Sequence, residues 1–283
     1  MLAAAAIAMA VAVGVAFGVH DAVAKISMEG ADPSSLSFAT LLLGLPLLAI
    51  MVPFAGGLRL TYASLALFIA AGVVNFSLGR TLMYSATSRL TSSGASVMTS
   101  TSAAFSLALG AALGEAIRPE TVLGVIAIMA SVYMVSGWGG RVDGVGVLLG
   151  LATGFAIALS VALIKLGDVE GGSPGLGVII AYLSGMAALT PRARHASSMI
   201  RLKARPIAVM GLAAAAGQLM RYLALTTLGV DIVTPLQNLR PIVATSVLFG
   251  ASQGESKLPR ARHWAAAAIA FIGVALISGV VRL

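Results

Sequence analysis

The chain has 283 residues, of which 59% are hydrophobic and only 10% charged, with 32 glycines, no cysteine and a mean hydropathy of +1.00. A soluble domain carries about 25% charged residues, so this composition excludes an ordinary soluble enzyme and describes a membrane protein; the lack of cysteine excludes disulfides, thiolate metal sites and a cysteine nucleophile. The formal charge of +8 arises mainly from Lys and Arg in short connections between apolar runs, which is a topology signal and not a nucleic-acid footprint.

A spanning helix needs about 20 mostly apolar residues. That ruler predicts ten, over 2–24, 36–54, 62–86, 91–113, 121–138, 144–165, 175–191, 206–228, 231–251 and 263–281. The first run lacks a basic leader region, and the small residues at Ala22 and Ala24 raise a cleavage site that the internal repeat below argues against. It carries a Gly14/Gly18 spacing for close packing or a dimer face. Near its end lie His20 and Asp21, the titratable pair in a span that is suited to carrying coupling protons, and then Lys25. The third run holds Ser77, Arg80, Thr81, Tyr84 and Ser88 at i, i+3, i+4, i+7 and i+11, a single polar stripe, with Asn75 in mid-helix. Arg80 lies only six or seven residues from a helix end, about 10 Å, within reach of the surface by snorkelling.

The fourth run contains Thr91, Ser92, Ser93, Ser96, Thr99, Ser100, Thr101, Ser102 and Ser106, a hydroxyl density that suits a cavity wall or close packing with hydroxyls bonded back to their own helix. Glu115 follows Gly114 at its end, and Pro119 comes four residues later. A carboxylate placed so would accept amide hydrogens at the next helix start. The sixth run repeats the packing signal at Gly146, Gly150 and Gly154 and ends on Lys165, where a cation suits the helix dipole. After the longest connection, 192–205, the eighth run carries Gln218, Arg221 and Tyr222.

The ninth run holds the most deeply placed charge. Arg240 is nine and eleven residues from the run's ends, roughly 14 and 16 Å. It lies among Thr234, Pro235, Gln237, Asn238 and Pro241, where two prolines free carbonyls at membrane depth. Interrupted helices near the midplane are where transporter sites form. Arg240, Gln237, Asn238, Pro241, Thr234, Arg80, Tyr84, Asn75, Ser100, Thr101, Gln218, Arg221 and Tyr222 are therefore the candidate substrate-binding residues. Arg80, Arg221 and Arg240 have no acid clearly placed beside them in the sequence, so the centre reads as net positive.

Sliding the chain on itself by 140 residues matches Ala12, Gly14, Ala16, Ala22 and Lys25 with Ala152, Gly154, Ala156, Ala162 and Lys165. The same offset matches Gly110, Ala111, Gly114, Glu115 and Pro119 with Gly250, Ala251, Gly254, Glu255 and Pro259. Between these anchors a shift of 138 aligns Tyr84 and Ala86 with Tyr222 and Ala224. Two five-helix units, 1–140 and 141–283, must enter the membrane from opposite sides because five is odd. The expected fold is thus an all-α membrane protein with ten transmembrane helices as two inverted five-helix repeats. The fourth and ninth runs become partners that cross near the centre.

Phe17-Gly18 with Lys25, Asp32-Pro33, the Tyr84-Ser-Ala86 segment and Gly114-Glu115, with Tyr222-Leu-Ala224, Pro241 and Gly254-Glu255 in the second half, give the chain its resemblance. It resembles a ten-helix member of the drug/metabolite transporter superfamily, in the EamA-type branch. Thr40 stands where the second helix of such proteins often carries Arg, and Thr101 where the fourth often carries Pro. The resemblance implies secondary transport of small organic solutes across the cytoplasmic (inner) membrane, by a monomer or homodimer and without a cofactor.

The connections after the odd-numbered runs hold eleven Lys and Arg and the other face four. By the positive-inside rule both termini lie outside, whereas proteins of the resembling family usually keep them in the cytosol. With three intramembrane arginines, the expected substrate is an amino acid or other carboxylate-bearing solute, for which Arg is the natural bidentate partner. The rivals are a cationic drug exporter, which calls for a buried central acid, and a non-transporting scaffold or lipid-handling subunit. An intramembrane hydrolase would need paired aspartates, a His-rich metal site or a Ser-His dyad at one depth, and none is spelled out.

Overall fold

The structure is a computed structural model and describes residues 2–27, 31–90, 97–136, 143–250 and 260–279. Thr91, Ser92, Ser93, Ser96, Glu255 and Pro259 lie outside those residues, as do the side chains of Lys25, Tyr84 and Ser88. The described residues are helical and contain no strand. This is what lipid demands of apolar chain, since a helix satisfies its own backbone.

The elements are α1 (Leu2–Ser27), α2 (Pro33–Met51), α3 (Tyr62–Gly72), a π-helical segment (Val73–Gly79), α4 (Arg80–Arg89), α5 (Ser102–Ala112), α6 (Pro119–Ser136), α7 (Gly144–Val169), α8 (Pro174–Leu189), α9 (Ala196–Leu225), α10 (Val230–Gln237), α11 (Arg240–Gly250) and α12 (Arg260–Ile277). Five helical stretches are long and apolar enough to cross a membrane: Ala3–Ala24, Pro33–Phe54, Tyr62–Met83, Gly144–Val169 and Ala196–Leu225. Shorter apolar helices run over Val97–Ala112, Pro119–Met134, Pro174–Leu189 and Trp264–Ile277.

Local chemistry sets the helix starts. Asp32 accepts the Ser35 N–H at 2.8 Å just before Pro33 at the first helical position of α2, a side-chain cap followed by a residue with no amide hydrogen to waste. Thr61 and Ser64 bond each other reciprocally at the start of α3. The 192–205 connection is shorter than expected: α9 begins at Ala196 and is kinked at Lys203, whose φ is −133° and ψ 39°. Met199 and Ile200 account for the early start by packing with Leu36, Ala39, Ile207 and Met210.

α1 and α2 pack on α9, α7 packs on α3, α4 and α5, and α6 pairs with α12. The glycine spacings serve these contacts inside the chain. A methyl at Gly14 or Gly18 of α1 would meet Leu236, Leu239, Arg240 or Val243 of the α10–α11 region. At Gly146, Gly150 and Gly154 of α7 it would meet Leu90, Met98 and Thr101.

Pro235 and Pro241 divide the ninth run. α10 stops at Gln237 and α11 starts at Arg240, with turn bonds from the amides of Asn238 and Leu239 to the carbonyls of Pro235 and Leu236. This break sets Arg240 on the first turn of a helix deep in the protein.

Candidate functional site

Phe17, His20 and Asp21 stand at i, i+3 and i+4 on α1, hence on one face. The first turn of α11 brings Arg240 against that face. Asp21 accepts the Arg240 Nε–H at 2.6 Å on one oxygen and the Nη2–H at 2.8 Å on the other, the bidentate geometry that makes guanidinium–carboxylate pairs strong. Each side chain keeps about a quarter of its surface exposed, 25% for Arg240 and 27% for Asp21. His20 Nδ1 lies 3.1 Å from Asp21 Oδ1. An ionised carboxylate only accepts, so Nδ1 carries the proton and donates it. His20 Nε2, on the other side of the ring, is buried and has no hydrogen-bond partner among the described residues.

Phe17, His20 and Arg240, though not Asp21, border a cavity of about 50 Å³. α1 contributes Phe17 and His20, the π-helical segment Asn75, Phe76 and Gly79, α4 Arg80 and Met83, α7 Thr153 and Ile157, α9 Gln218 and Arg221, and α11 Arg240. A π-helical turn carries an extra residue and often marks a functional position. Here it delivers Asn75, Phe76 and Gly79 to the wall just before Arg80.

The three guanidiniums are held differently. Phe17 carries two of them, Arg221 Cζ 4.9 Å and Arg240 Cζ 5.7 Å from its ring centroid. Arg80 lies 5.4 Å from the Phe76 ring and donates from Nη1 to Thr40 Oγ1 at 3.1 Å. Arg221 is only 3% exposed, and its Nε and Nη1 have no hydrogen-bond acceptor among the described residues.

Arg80 also lines a second, larger pocket of about 310 Å³ with Asp32, Pro33, Ser34, Ser37, Thr81, Ser85 and Leu189. This vestibule sits at the end of the bundle where α2 starts and α4 and α8 finish. Contacts at the opposite end include Lys165 Nζ donating to the Leu225 and Leu228 carbonyls at 2.7 and 3.1 Å. There Thr61 Oγ1 also donates to the Glu170 carbonyl and the Ser173 amide to that of Arg59.

Several sequence expectations are corrected. An acid does stand beside the arginines, since Asp21 pairs with Arg240 across 219 residues of chain; no local pattern could have linked them. Glu115 caps a helix, but not the next one. Its oxygens accept the Val230 and Asp231 amides of α10 at 2.9 and 3.2 Å. Lys165 does not finish its helix, which runs on to Val169, and answers the C-terminal carbonyls of α9 instead.

Of the candidate binding residues, Asn75, Arg80, Gln218, Arg221 and Arg240 share the cavity with His20. Asn238 instead bonds the fourth run, donating to the Ser100 carbonyl and Ser102 Oγ at 3.1 Å each. Ser100 and Thr101 hydroxyls bond back to Val97 and Met98 carbonyls, and neither is on the cavity wall. Thr234 and Gln237 are buried away from that wall, and Pro241 is part of the first turn of α11. Tyr222 is buried against the Phe68 ring, 5.9 Å between centroids. Sequence reasoning did not single out Phe76, Gly79, Met83, Thr153 or Ile157 as wall residues, because apolar and small groups carry no signal in an apolar chain. Phe17 entered only through the family resemblance, although its place one turn before the His20–Asp21 pair could have marked it.

Residues 4–137 match the EamA-like transporter family. No curated protein matches the chain. One crystal structure, described only as that of a protein, superposes with a TM-score of 0.78 at 15% identity, covering 98% of this chain and 99% of that one. At that identity the likeness concerns the fold alone.

Proposed function

We propose, for a chain whose residues 4–137 belong to the EamA-like transporter family, that it is a secondary transporter of small carboxylate-bearing solutes, amino acids among them. The family match over 4–137 and the apolar helices support a multi-pass membrane protein of drug/metabolite transporter type. The reading beyond that is ours. Two inverted five-helix halves rock about the central cavity; the vestibule at the more basic end is its cytoplasmic approach, and both termini lie on the far side.

The observation that carries the substrate class is the cavity's charge balance. Arg80, Arg221 and Arg240 line it, Asp21 answers one of them, and Arg221 presents two buried nitrogens, Nε and Nη1, without an acceptor among the described residues. A buried guanidinium left so is costly, and a carboxylate between Arg221 and Arg240 over the Phe17 ring would satisfy it. A cation exporter would need an acid at liberty to receive its substrate, and Asp21 is committed to Arg240.

The test is uptake in proteoliposomes of radiolabelled amino acids, organic acids and quaternary cations. Saturable uptake of an anionic or zwitterionic solute, reduced at least roughly a hundredfold in Arg221→Gln by loss of a charge-assisted pair, supports the assignment. Uptake confined to cations and indifferent to Arg221→Gln would overturn the substrate class.

A further inference from the structure

We propose that Asp21 is an internal stand-in for the substrate carboxylate, and that a proton delivered through His20 exchanges the two, so that one proton accompanies each carboxylate bound. The proposal rests on the anion-transport reading above and adds its coupling.

The geometry supplies each part. Asp21 fills the Nε/Nη2 fork of Arg240, the edge a substrate carboxylate would take. His20 touches Asp21 through Nδ1 and borders the cavity, with Nε2 buried and without a partner among the described residues. A proton arriving at Nε2 makes an imidazolium. His20 then passes its Nδ1 proton to Asp21 Oδ1, returning to neutral as the other tautomer. Neutral Asp21 no longer holds the guanidinium, whose Nε–H and Nη2–H turn to the incoming carboxylate. When the carboxylate leaves, the proton retraces the path.

Charge is conserved throughout: the incoming carboxylate takes the place of the Asp21 carboxylate at the Arg240 fork. An unanswered ion at membrane depth, the costly state, is avoided. Arg80 of α4, Arg221 of α9 and Arg240 of α11 share the cavity wall with His20, and Arg240 is paired with Asp21. The side chain of Lys25, one turn further along α1, lies outside the described residues. The resulting mode is electroneutral symport for a monoanion.

In weakly buffered detergent solution at about pH 7, acetate is added as the probe carboxylate and the proton balance is followed with a pH indicator. About one proton is taken up per acetate bound in the parent, none in Asp21→Asn, and the uptake is slowed or lost in His20→Gln. Acetate bound by the parent without proton uptake, or with the same uptake in Asp21→Asn, overturns the proposal. If Asp21→Asn does not fold, His20→Gln decides, an unchanged uptake counting against it. Failure of any carboxylate to bind would overturn the anion reading itself, whereas binding without proton uptake would overturn the coupling alone.

Discussion

A guanidinium in a bilayer survives only where something answers its charge. Among the described residues Arg240 has a carboxylate, Arg80 a hydroxyl and an aromatic face, and Arg221 an aromatic face but no acceptor for Nε or Nη1. Removing one member of the Asp21–Arg240 pair leaves the other uncompensated. Arg240→Leu should therefore destabilise the detergent-solubilised protein by about 3 kcal/mol, the low end for a buried pair because a quarter of each side chain is exposed. Asp21→Leu with Arg240→Leu should recover most of that loss. A double variant no more stable than the single one would show that the pair is not coupled. At the membrane surface, burial pushes the Asp32 carboxyl up, but the Ser35 and Ser34 hydrogen bonds outweigh it and hold the group below its ordinary value. A carboxyl depressed in the folded state adds stability above its unfolded pKa, and this is lost as pH falls through the folded value. Asp32→Ala should cost about 1 kcal/mol at neutral pH and less in acid, as thermal melts at several pH values would reveal.

At the scale of elements, the α10–α11 break and the π-helical segment turn apolar helices into walls with chemistry. Pro235 and Pro241 announce the break in the sequence. Nothing in Val73–Gly79 announces the π turn, which depends on how α3 and α4 seat against α7 and α8. α11 is held at close range through Gly18, where a methyl would press on Val243 and lie 2.9 Å from the Arg240 carbonyl. Gly18→Ala should cost about 1–3 kcal/mol by overpacking and lower uptake by displacing Arg240; wild-type uptake with an unchanged melting temperature would contradict this packing. Glu115→Ala removes the acceptor of two α10 amides and should cost about 1–2 kcal/mol, with Glu115→Gln milder because one acceptor oxygen remains. Equal melting temperatures for parent and both variants would mean that the cap contributes nothing.

For the whole molecule, composition and run length sufficed to read an all-helical, multi-pass membrane protein, because lipid leaves an apolar chain few other structures and fixes a span at about 20 residues. Spacing exposed the candidate motifs, and their order exposed the EamA-type likeness that the match over 4–137 bears out. Depth in a run was enough to choose Arg240, and a polar stripe raised Arg80; the fold gathers both with Gln218 and Arg221 at one cavity. Partnership was another matter. Asp21 and Arg240 are 219 residues apart, and Glu115 and Val230 are 115 apart. A helix's periodicity relates only residues within a few turns of one another, so which charge is answered, which hydroxyl bonds its own backbone and which arginine keeps buried nitrogens without an acceptor among the described residues were decided when the helices packed.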